Sequence, residues 1–473
     1  MTASIEQILD EVTGTVVGPN GGQVEIVDVT HDSREVGEGF LFCCVPGATV
    51  DGHNFATAAV ELGASALLVE REVALDDSHR DVPQLLVSDV RASMGPAAAV
   101  VHGHPSRELT VVGVTGTNGK SSIVQLMVDL WRQVGTRAEI IGTLVGARTT
   151  PEGPDLQRMF RDAVDRGVQA MAIEVSSHAL SLHRVDGTRF DAAVFTNLGR
   201  DHLDFHHTME EYFSAKSKLF SPDFTDGSII NIDDQFGQRL YEQLAQQPAL
   251  SFGLADATDL TYDGAISRFG WRGHEIVLQL AGEHNVLNAL ASATTAEMLG
   301  MDPVDIADAL CATSPVRGRF EAVDAGQPFH IAVDYAHTPD ALAAVLVAAR
   351  QVAGSGRVLV VFGCGGDRDV QKRAEMGQVA EQGADVVLVT SDNPRSEPPM
   401  AIIEQILEGI DSSTNVIVEA DRQLAISAAI AQAEPGDMVL IAGKGHETYQ
   451  VIGDQTIEFD DRHAALVALG VTA

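Results

Sequence analysis

Residues 109–131 read LTVVGVTGTNGKSSIVQLMVDLW, and this stretch decides the fold of the middle of the chain. Leu109 to Val114 has the length and β-branching of a buried strand, while Ile123, Leu126, Met127 and Leu130 recur at helical spacing. Between them lies a tight turn, so the order is strand, phosphate loop, helix. Gly116 and Gly119 let backbone N–H groups close on phosphate oxygens, with Thr117, Asn118 and Ser122 completing the loop. Lys120 supplies the counter-charge, Ser121 can ligate Mg²⁺, and the helix N-terminus favours negative charge. A strict G-x-x-x-x-G-K-[ST] pattern fails because Val114 stands at its first glycine. The strand before and the helix after carry the reading against the plain alternative, an ordinary glycine-rich turn.

Working outward, 473 residues with 45% hydrophobic content are too many for one core and imply about three domains. No apolar run approaches the roughly 20 residues of a membrane span, and MTASIEQILDEV carries acids where a signal peptide carries a basic region. The expectation is a cytosolic protein with no membrane insertion. Cys43, Cys44, Cys311 and Cys364 form no C-x-x-C pair, so reduced, mostly buried thiols are expected. A net charge of -36 argues against nucleic acid as a partner, which needs a basic footprint. It also fits a saline cytoplasm. The only lysines are Lys120, Lys216, Lys218, Lys372 and Lys444, so a retained lysine can mark a need for an amine that arginine cannot meet.

The chain divides into three α/β units, 1–105, 106–320 and 321–473. The first alternates short strands with a helix from Ala56 to Gly63 and a strand from Ser65 to Val69. His104-Pro105-Ser106 reads as the linker. In the second, the runs Ala170 to Val175 and Ala192 to Thr196 end in polar residues, as strands of a doubly wound sheet do at a ligand crevice. In the third, the runs Ile331 to Val333, Val358 to Phe362, Val386 to Thr390 and Met438 to Ile441 lead into DYAHTPDAL, GCGGDRD, SDNPRSE and AGKGHETYQ. Four polar loops should therefore gather on one edge of a Rossmann-like sheet.

Two of the strand ends carry metal-capable groups. EVSSHAL begins with Glu174 and FTNLGRDHLDFH contains His202, and these are expected from neighbouring strand ends beside the triphosphate. A lone Glu or His is more often a structural hydrogen-bonder, and His178, His206 and His207 take that reading. Lys216 sits on a helix just after the DHLD loop, and Lys218 reads as a surface lysine.

GTNGKSS, TTPE, EVSSHAL, FTNLGRDHLD, AKSKLF, GRFE, DYAHTPDAL, GCGGDRD, DNPRSE and GKGHETYQ, in this order, closely resemble the Mur ligases, as does DSREVGEG near the N-terminus. The resemblance implies three domains: a small UDP-binding α/β domain, a central P-loop ATPase domain with a mainly parallel sheet, and a C-terminal Rossmann-like domain. It implies an ATP- and Mg²⁺-dependent, ADP-forming ligase of peptidoglycan synthesis, monomeric, joining an amino acid to UDP-MurNAc-L-Ala-D-Glu. Lys120 and Ser121 would hold ATP phosphates and Mg²⁺, with Glu174 and His202 as further metal contacts. Lys216 matches the family's carbamylated lysine, which gains a carboxylate able to help hold the metal. Asn285 and Asn288 match an adenine segment in which His284 replaces an aromatic, and Arg319, Asp334 and His337 match residues near the nucleotide. Thr149, Thr150, Ser176 and Arg184 match contacts to the UDP-MurNAc-dipeptide, with Lys216 beside them. Ser33 and Ala48, Thr49 and Val50 match the uridine-nucleotide site.

The expected chemistry is phosphoryl transfer to a carboxylate, then attack of an amine on the acyl phosphate, with positioning and cation clamping dominating. Choice of amine should fall to third-domain loops. Arg368 and Arg395 can clamp a carboxylate, while Asp392 and Glu447 can pair with an ammonium; Asn393, Pro394 and Gly443 belong to the same loops. An arginine left unpaired by L-lysine would cost affinity, so meso-diaminopimelate is the expected amine. L-Lysine, a folylpolyglutamate-synthase-like activity, and a catalytically silent nucleotide-binding regulator are the alternatives. The last predicts erosion at Lys120, Glu174, His202 or Lys216, and all four are intact.

Overall fold

A computed structural model describes residues 1–18, 23–47, 49–146, 148–263, 266–411 and 415–471. Three sheets organise it. The first runs Gly14–Val17, Gln84–Val87, Ala64–Val69, Phe40–Cys43, Asp28–Thr30, with only the Gly14–Val17 edge antiparallel. The two runs around the DSREVGEG turn thus pair in parallel rather than as a hairpin.

The second sheet is wholly parallel and six-stranded. Its order is Ala249–Phe252, Ser228–Asn231, Ala192–Phe195, Thr110–Thr115, Ala170–Glu174, Ala138–Ile141. Alternation along each strand feeds two cores: Val112, Val114, Ala172 and Val194 face one side, Val111, Ile173, Ala193 and Phe195 the other. Burial on both faces explains why these strands read as continuous apolar runs, each fully buried Val or Ile contributing about 1.5–3 kcal/mol. The phosphate-loop strand lies between those ending near Glu174 and His202, so these two groups flank it and are not on neighbouring strands as expected. The cause is the order of crossovers: from the loop strand the chain goes to the edge strand Ala138–Ile141, returns to Ala170–Glu174 beside the loop strand, and then passes over it to Ala192–Phe195 on its other side. An antiparallel meander, Thr258–Asp263, Ile266–Trp271 and His274–Leu278, packs Phe269, Trp271 and Ile276 onto one of the cores.

The third sheet runs Glu321–Ala322, His330–Asp334, Met438–Ala442, Val358–Phe362, Val386–Val389, Val416–Val418, parallel except at its first pair. The four expected strands are adjacent, so their loops gather on one edge. A hairpin, Tyr449–Ile452 with Gln455–Glu458, follows, and sequence reading missed it. The expected linker is packed: Pro105–Arg107 is a 3₁₀ turn, and the buried Ser106 hydroxyl accepts a hydrogen bond from the Arg189 N–H.

Candidate active site

The crevice over the second sheet's carboxyl edge is a cavity of about 550 Å³. Helix Lys120–Gln133 begins directly at the loop, with Gly119 at φ 89°. Gly116 has φ 147°, and a Cβ there would lie 1.8 Å from Thr196 Oγ1, so only glycine permits this close approach. Segment 196–199 braces the loop from behind. The Thr196 hydroxyl donates to Asn118 O (2.6 Å), Asn197 Oδ1 accepts from Asn118 N–H (2.9 Å), and Asn197 O accepts from Thr117 N–H (2.9 Å).

Lys120 Nζ donates to Gly116 O (2.9 Å) and Thr117 O (2.8 Å), folded over its own loop, and desolvation lowers its pKa against the attraction of Glu174 and Asp201. Ser121 Oγ lies 3.1 Å from Thr143 Oγ1 and accepts from Arg319 (2.9 Å). Glu174 Oε1 accepts from both the N–H (2.9 Å) and the hydroxyl (2.8 Å) of Thr143. Lys216, 1% exposed, donates to Gly116 O at 2.8 Å. Burial, reinforced by the nearby Lys120 charge, drives its pKa well down and so favours the neutral amine. His202 lines the cavity with its pKa lowered to about 3 by desolvation, despite Asp201 Oδ2 at 3.4 Å.

The third sheet closes the far wall. Asp334 accepts from the N–H groups of Phe320 and Ala336 (both 2.7 Å), and burial raises its pKa. The Arg319 guanidinium lies 4.6 Å over the Tyr335 ring. His337 Nε2 lies 3.9 Å from Asp201, and Lys372 donates to His337 O at 3.0 Å. Asn285, Asn288 and His284 line the cavity from the start of helix Glu283–Met298. His284 is neutral, burial having lowered its pKa to about 4.

Other expected residues lie elsewhere. Thr149 and Ser176 reach the cavity rim, but Thr150 is fully buried, donating to Glu174 O (2.8 Å) and accepting from Ser176 N–H (3.1 Å). Arg184 pairs with Glu152 (2.9 Å), as does Arg148 (2.7 Å). Glu152 and Arg148 line a second cavity of about 380 Å³ with His31, Asp32 and Glu35, close neighbours of Ser33 in the chain. Thr49 and Val50 are exposed in a turn closed by Gly47 N–H to Val50 O (3.0 Å), and Ala48 is outside the described residues.

The third-domain loops expected to choose the amine form their own cluster, outside the large cavity. Asn393 Nδ2 donates to Glu447 (2.9 Å), while Asn393 Oδ1 accepts from Lys444 (3.2 Å) and Val451 N–H (3.0 Å). Asn393 is thus consumed internally. Arg395, at φ 50°, donates to Gly366 O (2.7 Å), with Arg368 exposed at the rim. Pro394 is buried, and Asp392 Oδ2 would lie 2.7 Å from a Cβ on Gly443.

The chain is similar to known proteins along most of its length. Residues 25–110 match the model of the Mur ligase family, catalytic domain, residues 114–296 that of the Mur ligase middle domain, and residues 318–445 that of the Mur ligase, glutamate ligase domain. The chain is 44% identical over 479 residues to the UDP-N-acetylmuramoyl-L-alanyl-D-glutamate--2,6-diaminopimelate ligase of Geobacillus kaustophilus, covering 95% of this chain and 96% of the relative. The chain belongs to the Mur ligase family. The similarly named Streptomyces coelicolor enzyme is 42% identical, covering 97% and 95%. A solved structure of such a diaminopimelate ligase superposes with a TM-score of 0.70 at 32% identity, covering 99% of each chain.

Within this Mur ligase, sequence reading passed over Asp201, Thr143 and Tyr212. Asp201 is buried between His202 and His337, and its pKa is about 2 although burial opposes ionisation, because those two imidazoles and Lys372 favour the anion. It stood inside the quoted FTNLGRDHLD segment. Thr143 and Tyr212, the latter 3.2 Å from Thr117 Oγ1, carried no local signal. Among the described residues all four cysteines are free, and Cys43, Cys44 and Cys364 are buried.

Proposed function

We propose that this chain is the ADP-forming ligase that joins meso-diaminopimelate to UDP-MurNAc-L-Ala-D-Glu in peptidoglycan precursor synthesis. The reading includes a monomer in the cytoplasm, built as three domains, 1–105, 106–320 and 321–473. The observation that carries it is one cavity holding the phosphate loop, Glu174 and a buried lysine, in a chain 44% identical to a ligase of that name. Among the described residues no helix is long and apolar enough to cross a membrane.

The donors suit Mg²⁺. Ser121 and Glu174 are hard oxygen donors on the cavity wall, and carbamylated Lys216 would be a third. Lys216 Nζ donates to Gly116 O, and carbamylation would give it the hard carboxylate oxygens that Mg²⁺ prefers. His202 completes the set. When bound, the metal would neutralise phosphate charge during phosphoryl transfer. Lys120 turns from its own carbonyls toward the phosphates, the loop N–H groups cradle them, and Arg319 reaches the same place from the third sheet. Asn285 and Asn288 flank the adenine, with neutral His284 in place of an aromatic ring. Thr149, Ser176 and Arg184 orient the dipeptide so that its carboxylate attacks the γ-phosphate. The amine then displaces phosphate from the acyl phosphate. Arg395 and Arg368 take the distal carboxylate of diaminopimelate, and Asp392 and Glu447 its ammonium.

ADP release with UDP-MurNAc-L-Ala-D-Glu and each amino acid tests the assignment. Meso-diaminopimelate should be used at least about a hundredfold better than L-lysine, the scale on which unpaired buried polar groups discriminate. Equal or faster use of L-lysine would sink it.

A further inference from the structure

Behind the amino-acid loops lies a buried ion pair that the reaction does not touch. Arg422 opens helix Arg422–Gln432 and Asp461 opens helix Asp461–Ala468, and both side chains are 0% exposed. Their contact is a fork: Arg422 Nε to Asp461 Oδ1 and Nη2 to Oδ2, each 2.7 Å. The guanidinium also donates from Nη1 to Ser391 O (3.3 Å) and from Nη2 to Ala442 O (2.9 Å).

Those carbonyls are not in adjacent strands. Ser391 follows strand Val386–Val389, Ala442 ends strand Met438–Ala442, and Val358–Phe362 lies between them in the sheet. One planar cation thus spans the middle strand and fixes the ends of its two neighbours. The residues immediately after those carbonyls are Asp392 and Gly443, where the loops bearing Asn393, Arg395 and Glu447 begin. The crossing is tight: a Cβ on Gly363, at the end of the middle strand, would lie 2.2 Å from Thr390 O and 2.9 Å from Asp392 N. Displacement of either strand end would therefore be felt at both loops.

We infer that Arg422, held by Asp461, is a positioning residue for amino-acid selection, setting the separation between the loop of Asp392 to Arg395 and the loop of Gly443 to Glu447. This rests on the assignment of those loops to the amino acid. Arg422 is sealed from solvent and neutralised by Asp461, so it offers no charge to a ligand and acts through the two carbonyls. Lysine could keep the charge but not the four-point geometry.

The test uses the full-length enzyme with ATP, UDP-MurNAc-L-Ala-D-Glu and meso-diaminopimelate. Arg422→Lys should raise KM for meso-diaminopimelate about tenfold, as loss of one charged hydrogen bond does, and leave KM for ATP and the nucleotide precursor within about twofold. Arg422→Met with Asp461→Leu removes both charges, which can restore folding stability without restoring the carbonyl contacts. That double variant should melt near the wild type yet keep the raised KM for meso-diaminopimelate. A wild-type KM in the double variant, or an equal rise of all three KM values in Arg422→Lys, overturns the inference. Glu447→Gln separates the two assignments: it must raise KM for meso-diaminopimelate, and if it does not, the placement of the amino acid fails first.

Discussion

At the scale of single residues, Lys216 shows how burial turns a side chain into a different reagent. An exposed lysine is an ammonium at neutral pH and does not attack CO₂. Enclosed at 1% exposure and facing the Lys120 charge, Lys216 has its pKa driven well down, which favours the free amine, and that amine can add CO₂ to give a carbamate and release a proton. Turnover should therefore fall in CO₂-depleted buffer and recover with bicarbonate. The Lys216→Arg variant cannot form the carbamate and should lose at least about a hundredfold in ADP release, with no recovery on adding bicarbonate. Normal turnover in that variant would remove Lys216 from the metal site.

Pairs of elements raise a different question, which is how the first sheet's layer is locked to the second. Helix Val90–Val101 meets helix Gly153–Asp165 through two glycines. A Cβ on Gly95 would lie 2.3 Å from Asp186 O, and one on Gly153 would lie 2.9 Å from Gly95 Cα. Arg158, on the second helix, adds a fork onto Asp28 at 2.9 and 3.3 Å, and His102 reaches Asp28 at 3.1 Å. Alanine at Gly95 would gain about 1 kcal/mol of helix propensity, but it must push a backbone carbonyl away, which costs about 1–3 kcal/mol or more. Gly95→Ala should thus lower stability in urea titration; an unchanged or raised midpoint would show that the helices separate without cost. Neither glycine advertises this contact locally, since the partners lie roughly sixty to ninety residues away along the chain and meet only through long-range packing.

For the molecule as a whole, the buried imidazoles set the acid limit. His202 is lowered to about 3, and His206, His284 and His446 to about 4, in each case chiefly by desolvation. Each binds a proton more readily unfolded than folded, so the stability from its neutral form is complete above the unfolded value near 6.5 and declines as pH falls below it. His104, His178 and His337 are lowered too, so His183, raised by its bond to Asp186, works in the opposite direction alone against seven. Asp32 and Glu397, both lowered to about 2 by arginine partners, lose their contributions only at more acid pH, below the ordinary carboxylate range. The melting temperature should begin to fall between about pH 6.5 and 5, before carboxylates titrate. Calorimetry showing a flat profile down to pH 5 would contradict this.

Much of this was legible in the sequence because its causes are local. A buried strand, a glycine turn and an amphipathic helix announce the phosphate loop within residues 109–131, and polar strand ends announce where ligands gather. Alternating strands and loops likewise announce the Rossmann-like third sheet. Tertiary structure decided which strand ends flank the loop, placing Glu174 and His202 on opposite sides of it. It decided that Asn393 is spent on Lys444 and Glu447, and that Asp201 is buried between two histidines. It also pushed the ionisation of Lys216 toward the neutral amine. Strand order, burial and the convergence of residues from different crossovers depend on contacts across the whole chain, and a pKa is set by the surroundings those contacts create, which no local spacing encodes.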